Sequence, residues 1–164
     1  MLRPRNWWAT ITHMLLTREG FVYPAGCDGA ACSKRIVGYA MAEHMRTELV
    51  QNALEMAVRN CQPIKGVTIF HSDRGSQYTS ADYTATMNKY GLLASVGRTG
   101  VCYDNAAAES FNATCKKELV NRKIYHTRRK AIKEVTSWIE LCYNQTGVLW
   151  VLWTLLKNGI SRLL

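Results

Sequence analysis

Two carboxylates in this sequence stand where they could do chemistry. Asp73 lies in His71-Ser72-Asp73-Arg74-Gly75-Ser76-Gln77-Tyr78, just past the apolar run Val67-Thr68-Ile69-Phe70-His71. α/β folds place ligands and metals beyond the carboxyl ends of their strands. Gly75 allows a tight turn there, and Ser76, Gln77 and Tyr78 surround the carboxylate with hydrogen-bonding groups. Taken alone, the same Asp also reads as the cap of a strand-to-helix turn. Glu109 lies in Tyr103-Asp104-Asn105-Ala106-Ala107-Ala108-Glu109-Ser110-Phe111, early in a helical pattern built from small residues. The helix dipole favours a carboxylate in the first turns, and small neighbours let a nucleic-acid strand come close. Asn112 and Lys116 follow on the same helix face, and a carboxylate with a cation two turns away suits a metal site beside a phosphate backbone.

The elements that must position these groups follow from periodicity. Residues 6–16 read as an extended segment ending near Arg18-Glu19-Gly20, with a second beginning at Phe21-Val22-Tyr23. Ile36 to Met41 is a further strand. Between them, Pro24-Ala25-Gly26-Cys27-Asp28-Gly29-Ala30-Ala31 is a poor strand by composition, and its Asp-Gly pair is expected to make a turn. Arg46 to Asn60 is an amphipathic helix with Leu49, Ala53, Met56 and Ala57 on one face and Thr47 as its expected cap. Ser80 to Tyr90 is a second helix, capped by Ser80 and closed by Gly91. Leu92 to Val96 is a short strand. Asp104 to Arg122 is helical with Ala108, Phe111, Cys115 and Leu119 inward, and Arg128 to Tyr143 is helical with Ile132, Val135, Ile139 and Cys142 inward. A mixed sheet flanked by helices is the economical way to bury these faces.

The chain has 164 residues, 48% apolar and 20% charged, which suits one globular domain and excludes a disordered or fibrous chain. The net charge is +9, from 21 Lys and Arg against 12 Asp and Glu, and favours polyanionic partners through counterion release. Six cysteines are scattered without a CxxC pair, so no zinc knuckle is expected. No secretory signal opens the sequence, and a cytoplasmic protein with reduced thiols is the expectation. The longest apolar stretch, Val148 to Leu156, is broken by Thr154 and is too short to span a bilayer, so no membrane role is expected.

HSDRGSQYTS (71–80) paired with CYDNAAAESFNATCKKEL (102–119) strongly resembles the second-frame transposases of bacterial insertion sequences, members of the DDE superfamily that includes retroviral integrases. The 35 residues between Asp73 and Glu109 match the spacing for which that family is named. RIVGYAMAEHMRTELV (35–50) and YNQ (143–145) also fit its pattern, so the resemblance covers roughly residues 5–145. It implies an α/β fold, the RNase H-like mixed sheet of an integrase catalytic core, over residues 1–145, followed by an atypical apolar tail over 146–164. It implies metal-assisted phosphoryl transfer on DNA, with carboxylates holding Mg²⁺ (or Mn²⁺) around the scissile phosphate. Asp73 would be the second carboxylate and Glu109 the third, both catalytic and metal-binding. Lys116 and Arg98 would contact DNA phosphates. DNA is the implied partner, multimeric action raises a homo-oligomer, and no small-molecule substrate is implied.

The sequence departs from the family at three places. The first carboxylate belongs in a pattern like Trp-x-x-Asp-Ile-Thr, and Trp7-Trp8-Ala9-Thr10-Ile11-Thr12 puts Thr10 at the Asp position. A neutral hydroxyl is a poor Mg²⁺ ligand, so activity is expected to be impaired. Asp28 is the obvious substitute, but CDGAACSKR does not resemble the family's second strand and reads like a short out-of-frame passage. After Gln145 the apolar Gly147 to Trp153 replaces the family's basic, Pro-containing end, and the helix-turn-helix that binds transposon ends is not in this sequence. The readings are therefore a working strand-transfer enzyme, an inactive copy that keeps the fold and binds nucleic acid, an RNase H-type nuclease, and an unrelated basic nucleic-acid-binding module. The two spaced motifs favour the first two.

Overall fold

The computed structural model describes residues 7–12, 14–29, 35–96 and 106–146, without the side chains of residues 7, 11 and 106–109. Strands β1 (Trp7–Thr12), β2 (Leu15–Thr17), β3 (Gly20–Gly29) and β4 (Arg35–Ala42) lead into helix α1 (Thr47–Cys61). Strand β5 (Ile69–Ser72), helix α2 (Ala81–Tyr90), strand β6 (Leu93–Val96) and helices α3 (Ala106–Glu118) and α4 (Arg128–Trp138) follow. The sheet runs β2-β3-β1-β5-β6, with β4 on the other side of β3. β3 is antiparallel to β1, β2 and β4, while β1–β5 and β5–β6 are parallel.

Two apolar clusters cover the two faces. On one, Trp8, Ala25, Cys27 and Phe70 pack with Leu49, Val50, Ala53, Leu54 and Ala57 of α1 and with Tyr83 and Met87 of α2. On the other, Leu15 and Ile36 pack with Phe111, Cys115 and Leu119 of α3 and with Ala131, Val135 and Trp138 of α4. The mixed sheet flanked by helices is as expected. Among the described residues, no helix is long and apolar enough to cross a membrane.

Four local expectations need correction. Residues 24–29 are not a turn but the second half of β3, paired on both sides by β1 and β4. Pro24 falls where β3 passes from β2, whose register ends at Val22, to β1, whose register begins at Ala25, and a missing N–H is tolerated at such a gap. The unsuitable composition shows instead as a bulge between Cys27 and Asp28 against β4. The extended 6–16 segment is two strands. Thr47 is the first residue of α1, and the cap position is Arg46, whose side chain makes no capping bond because it carries no acceptor. The last helix turns from α to π over Ile139–Tyr143, where the Asn144 N–H reaches the Ile139 carbonyl. The widened turn changes the helical phase, so Cys142 is exposed and Asn144 is buried.

Asn144 closes the outer edge of β4. Its Oδ1 accepts from the Ile36 N–H at 2.8 Å, and its Nδ2 donates to the Ile36 carbonyl at 3.0 Å. Asn144→Ala would leave two buried backbone groups without partners, and a loss of about 3 kcal/mol in unfolding free energy is expected. Urea denaturation with an unchanged m-value checks this, and a loss below about 1 kcal/mol would mean that water or another side chain takes over the edge.

Candidate active site

β1 and β5 lie side by side and point the same way, so their carboxyl ends are adjacent. The register Trp8↔Phe70 and Ala9↔His71, continued by one residue, sets Thr10 level with Ser72, with Asp73 next in the chain. Trp8 and Phe70 anchor this pair through an edge-on ring contact of 6.5 Å. His71 is buried, and its Nδ1 lies 3.1 Å from Ser95 Oγ on β6.

Thr10 is 8% exposed and pairs with Cys27 of β3. The Tyr78 phenol covers it. That hydroxyl is buried and meets no partner in hydrogen-bonding geometry. Burial is the main reason its pKa is raised, the nearby hydroxyls of Thr10 and Thr12 pull it down, and the charge of Asp73 pushes it up. Thr10, Tyr78 and Asp73 are thus brought together. Burial, with Asp28 adding, holds the Cys27 thiol protonated behind them.

The loop after β5 is folded on itself. Asp73 Oδ1 accepts from the Gly75 N–H at 2.8 Å, Tyr78 N–H donates to the Gly75 carbonyl at 3.0 Å, and Ser80 Oγ donates to the Gln77 carbonyl at 3.1 Å. Ser80 Oγ also accepts from Tyr83 N–H and so caps α2. Asp73 therefore does form the turn that its local sequence allows, and its side chain is nonetheless exposed at the strand end. Gly75 supplies the N–H for that turn without a left-handed backbone.

α3 is laid along β1. Asn112 Nδ2 donates to the Thr12 carbonyl at 3.5 Å, and Phe111 is clasped by the rings of Trp138 and Tyr143 at 5.7 and 4.9 Å. Glu109 sits one helical turn before Asn112 on α3, and its side chain lies outside the described residues. Lys116 is exposed further along the same helix, and Arg98 lies outside the described residues. Asp28 is opposite Ala9 on β3. Side chains alternate along a strand, so Asp28 is on the other face from Thr10, and its charge reaches Tyr143. Tyr78, which the sequence offers as a hydrogen-bonding group beside Asp73, turns its phenol toward Thr10 and Thr12 as well.

A sheet with a parallel central pair, layered between α1–α2 and α3–α4, defines an RNase H-like core. The solved catalytic domain of Mos1 mariner transposase shares this fold, with a TM-score of 0.67 over 90% of this chain and 76% of that one at 10% identity. A chain of a simian T-cell lymphotropic virus intasome gives 0.62 over 94% and 49% at 12% identity. Two family models described as integrase core domain match residues 4–102 and 90–146, and the chain belongs to this family. Its relatives are insertion-sequence proteins. The insertion element IS600 31 kDa protein of Shigella sonnei is 44% identical over 143 residues, 87% of this chain and 52% of its own length. The transposase for IS904 of Lactococcus lactis is 38% identical over 141 residues, 86% and 55% of the two chains. The chain thus spans about half the length of the curated relatives it matches.

The Mos1 transposase catalytic domain has been solved with Mg and with Mn. Among the described residues no three His, Cys, Asp or Glu converge. Asp73 beside the buried neutral hydroxyl of Thr10 supplies part of the anionic oxygen set that divalent cations need, and Glu109, whose side chain lies outside the described residues, is the other carboxylate of the motif.

Proposed function

We propose that this chain is the DNA-directed catalytic core of an insertion-sequence transposase, impaired in phosphoryl transfer because Thr10 replaces the first carboxylate. Asp73 and Glu109 are its two remaining catalytic and metal-binding carboxylates, for Mg²⁺ or Mn²⁺, and Lys116 and Arg98 its contacts to DNA phosphates. Residues 1–145 form the core and 146–164 an apolar appendage. The setting is the cytoplasm and the partner DNA, with a second copy of the chain as a further partner and no small-molecule substrate.

The observation that carries this reading is the adjacency of Thr10 and Asp73 at the carboxyl ends of β1 and β5. α3 is docked on β1 one turn from Glu109. What the described residues supply is binding and orientation. A backbone-fixed carboxylate stands at the strand ends, and the helix beside it bears exposed cations.

Incubating the chain with labelled DNA in Mg²⁺ or Mn²⁺ tests the reading. DNA binding is expected at low salt, with nicking and strand transfer no faster than in chelator. Rapid metal-dependent nicking that Glu109→Gln abolishes would show that another group has replaced Thr10. Absence of DNA binding would remove the DNA-directed reading altogether.

A further inference from the structure

Eight Lys and Arg stand against two Glu between residues 116 and 134, two-thirds of the chain's net positive charge in its α3–α4 segment. Two of the eight form ion pairs among the described residues. Arg128 Nη1 pairs with Glu43 at 2.9 Å, while its backbone N–H donates to Glu19. Lys123 pairs with Glu134. The other six, Lys116, Lys117, Arg122, Arg129, Lys130 and Lys133, are exposed and form no ion pair among the described residues.

They lie outward because the inward positions are taken. Phe111, Cys115 and Leu119 of α3, Tyr125, and Ala131, Val135 and Trp138 of α4 are buried in one cluster, and helical periodicity turns the intervening residues to solvent. Arg122 is held against the end of α3 by its Nε donating to the Lys117 carbonyl at 3.1 Å. Only two carboxylates share the stretch: Glu118 accepts from Trp138 Nε1 at 3.0 Å, and Glu134 holds Lys123 with the charge of Lys130 also near it. A merely solvated face mixes signs, as α1 does with Glu48 and Glu55 between Arg46 and Arg59. A net excess of six positive charges on so short a stretch repels itself unless a polyanion meets it.

α3 ties this surface to the candidate site. Lys116 is two turns from Glu109, about 10 Å along the helix, and α3 runs beside β1. We propose that the α3–α4 turn, with Arg122, Arg129, Lys130 and Lys133 beyond Lys116 and Lys117, is a docking surface for the backbone of duplex DNA flanking the reacting phosphate. Contacts of this kind set register without reading sequence. The proposal rests on the DNA-directed reading above and adds the surface that seats the duplex.

The test is fluorescence anisotropy of a short labelled duplex titrated with the full chain between about 50 and 200 mM salt. For the natural chain, log K against log salt is expected to fall with a slope of about −5 if all six cations meet phosphates. In Arg122→Glu/Arg129→Glu/Lys130→Glu the slope should flatten by about 3, with affinity at low salt reduced at least about tenfold. Arg46→Glu/Arg59→Glu/Lys65→Glu changes the net charge equally on exposed positions elsewhere and should leave the slope near the natural value. Matching circular dichroism and urea midpoints establish folding, and the corresponding Gln triple variant replaces the Glu one if it does not fold. Equal losses in both triple variants, or none in the first, overturn the surface while leaving DNA binding intact. No binding by the natural chain overturns the DNA-directed reading itself. A loss confined to anionic phosphatidylserine vesicles, with duplex binding unchanged, makes the surface a membrane one and also overturns the proposal.

Discussion

Thr10→Asp is expected to make the chain less stable without metal and reactive with it. Thr10 is 8% exposed, with Asp73 and the Tyr78 phenol as neighbours. A carboxylate placed there loses water and faces a like charge, at a cost of about 3 kcal/mol in unfolding free energy. A divalent cation bound between the two carboxylates reverses that cost and, with ligand in excess, stabilises the folded state by mass action. The variant should therefore unfold at lower urea than the natural chain in chelator and regain most of the difference in Mn²⁺. The natural chain should shift little. Metal at this position supplies several kcal/mol of charge stabilisation in phosphoryl transfer, so DNA nicking is expected to rise at least about a hundredfold. Thr10→Asp/Glu109→Gln should nick no DNA. Thr10→Asn, polar and of the same size as Asp, separates packing from charge and should show no Mn²⁺ response. A folded Thr10→Asp chain that neither nicks DNA nor gains stability from Mn²⁺ would sink the assignment of Thr10 and Asp73 to one metal site.

The second large effect is expected at Gly38, on the edge strand. A Cβ there would lie 2.2 Å from the Ala53 carbonyl oxygen and 2.4 Å from the Ala57 nitrogen. α1 therefore rests with its backbone directly on β4, and Ala53 and Ala57 are buried for the same reason. Asn60 Nδ2 donating to the Val37 carbonyl at 2.8 Å holds the far end of the contact. Since backbone must move to admit even a methyl group, Gly38→Ala should cost about 3 kcal/mol, a large part of the stability of a domain this size. Gly66→Ala is the control. Its φ of +72° strains any side chain, but nothing lies within 4 Å of the added Cβ, so a cost of about 1 kcal/mol is expected. Paired urea curves give the comparison. If Gly38→Ala falls within the Gly66→Ala value, α1 yields easily and the contact is not what seats it.

Much of the site is written locally. The apolar run before Asp73 becomes β5, Ser80 and Gly91 bound α2 as their chemistry requires, and Phe111, Cys115 and Leu119 face inward on α3 at helical spacing. These elements are legible because neighbours within a few residues decide them. β3 is not, since a segment with Pro24, Gly26 and Gly29 becomes a strand only when β1 and β4 pair with it from both sides. The same holds for Asn144, whose polar head is buried against Ile36, 108 residues away. The phase change at Ile139–Tyr143 depends on one backbone bond that no spacing of apolar residues announces. Thr10 is legible as a departure from a pattern, and its enclosure by Tyr78 emerges only from the fold.

β1 occupies the middle of the sheet although it comes first in the chain. Its partner on one side, β3, follows within a few residues, but its partner on the other, β5, ends at residue 72. During synthesis at about 5–20 residues per second, the β1–β4 meander could pair while β1 still showed an open, apolar edge for a few seconds. A ribosome-bound chain in that interval offers a neighbouring nascent copy the edge of β1, an unpaired strand edge of the kind that promotes misassembly during synthesis.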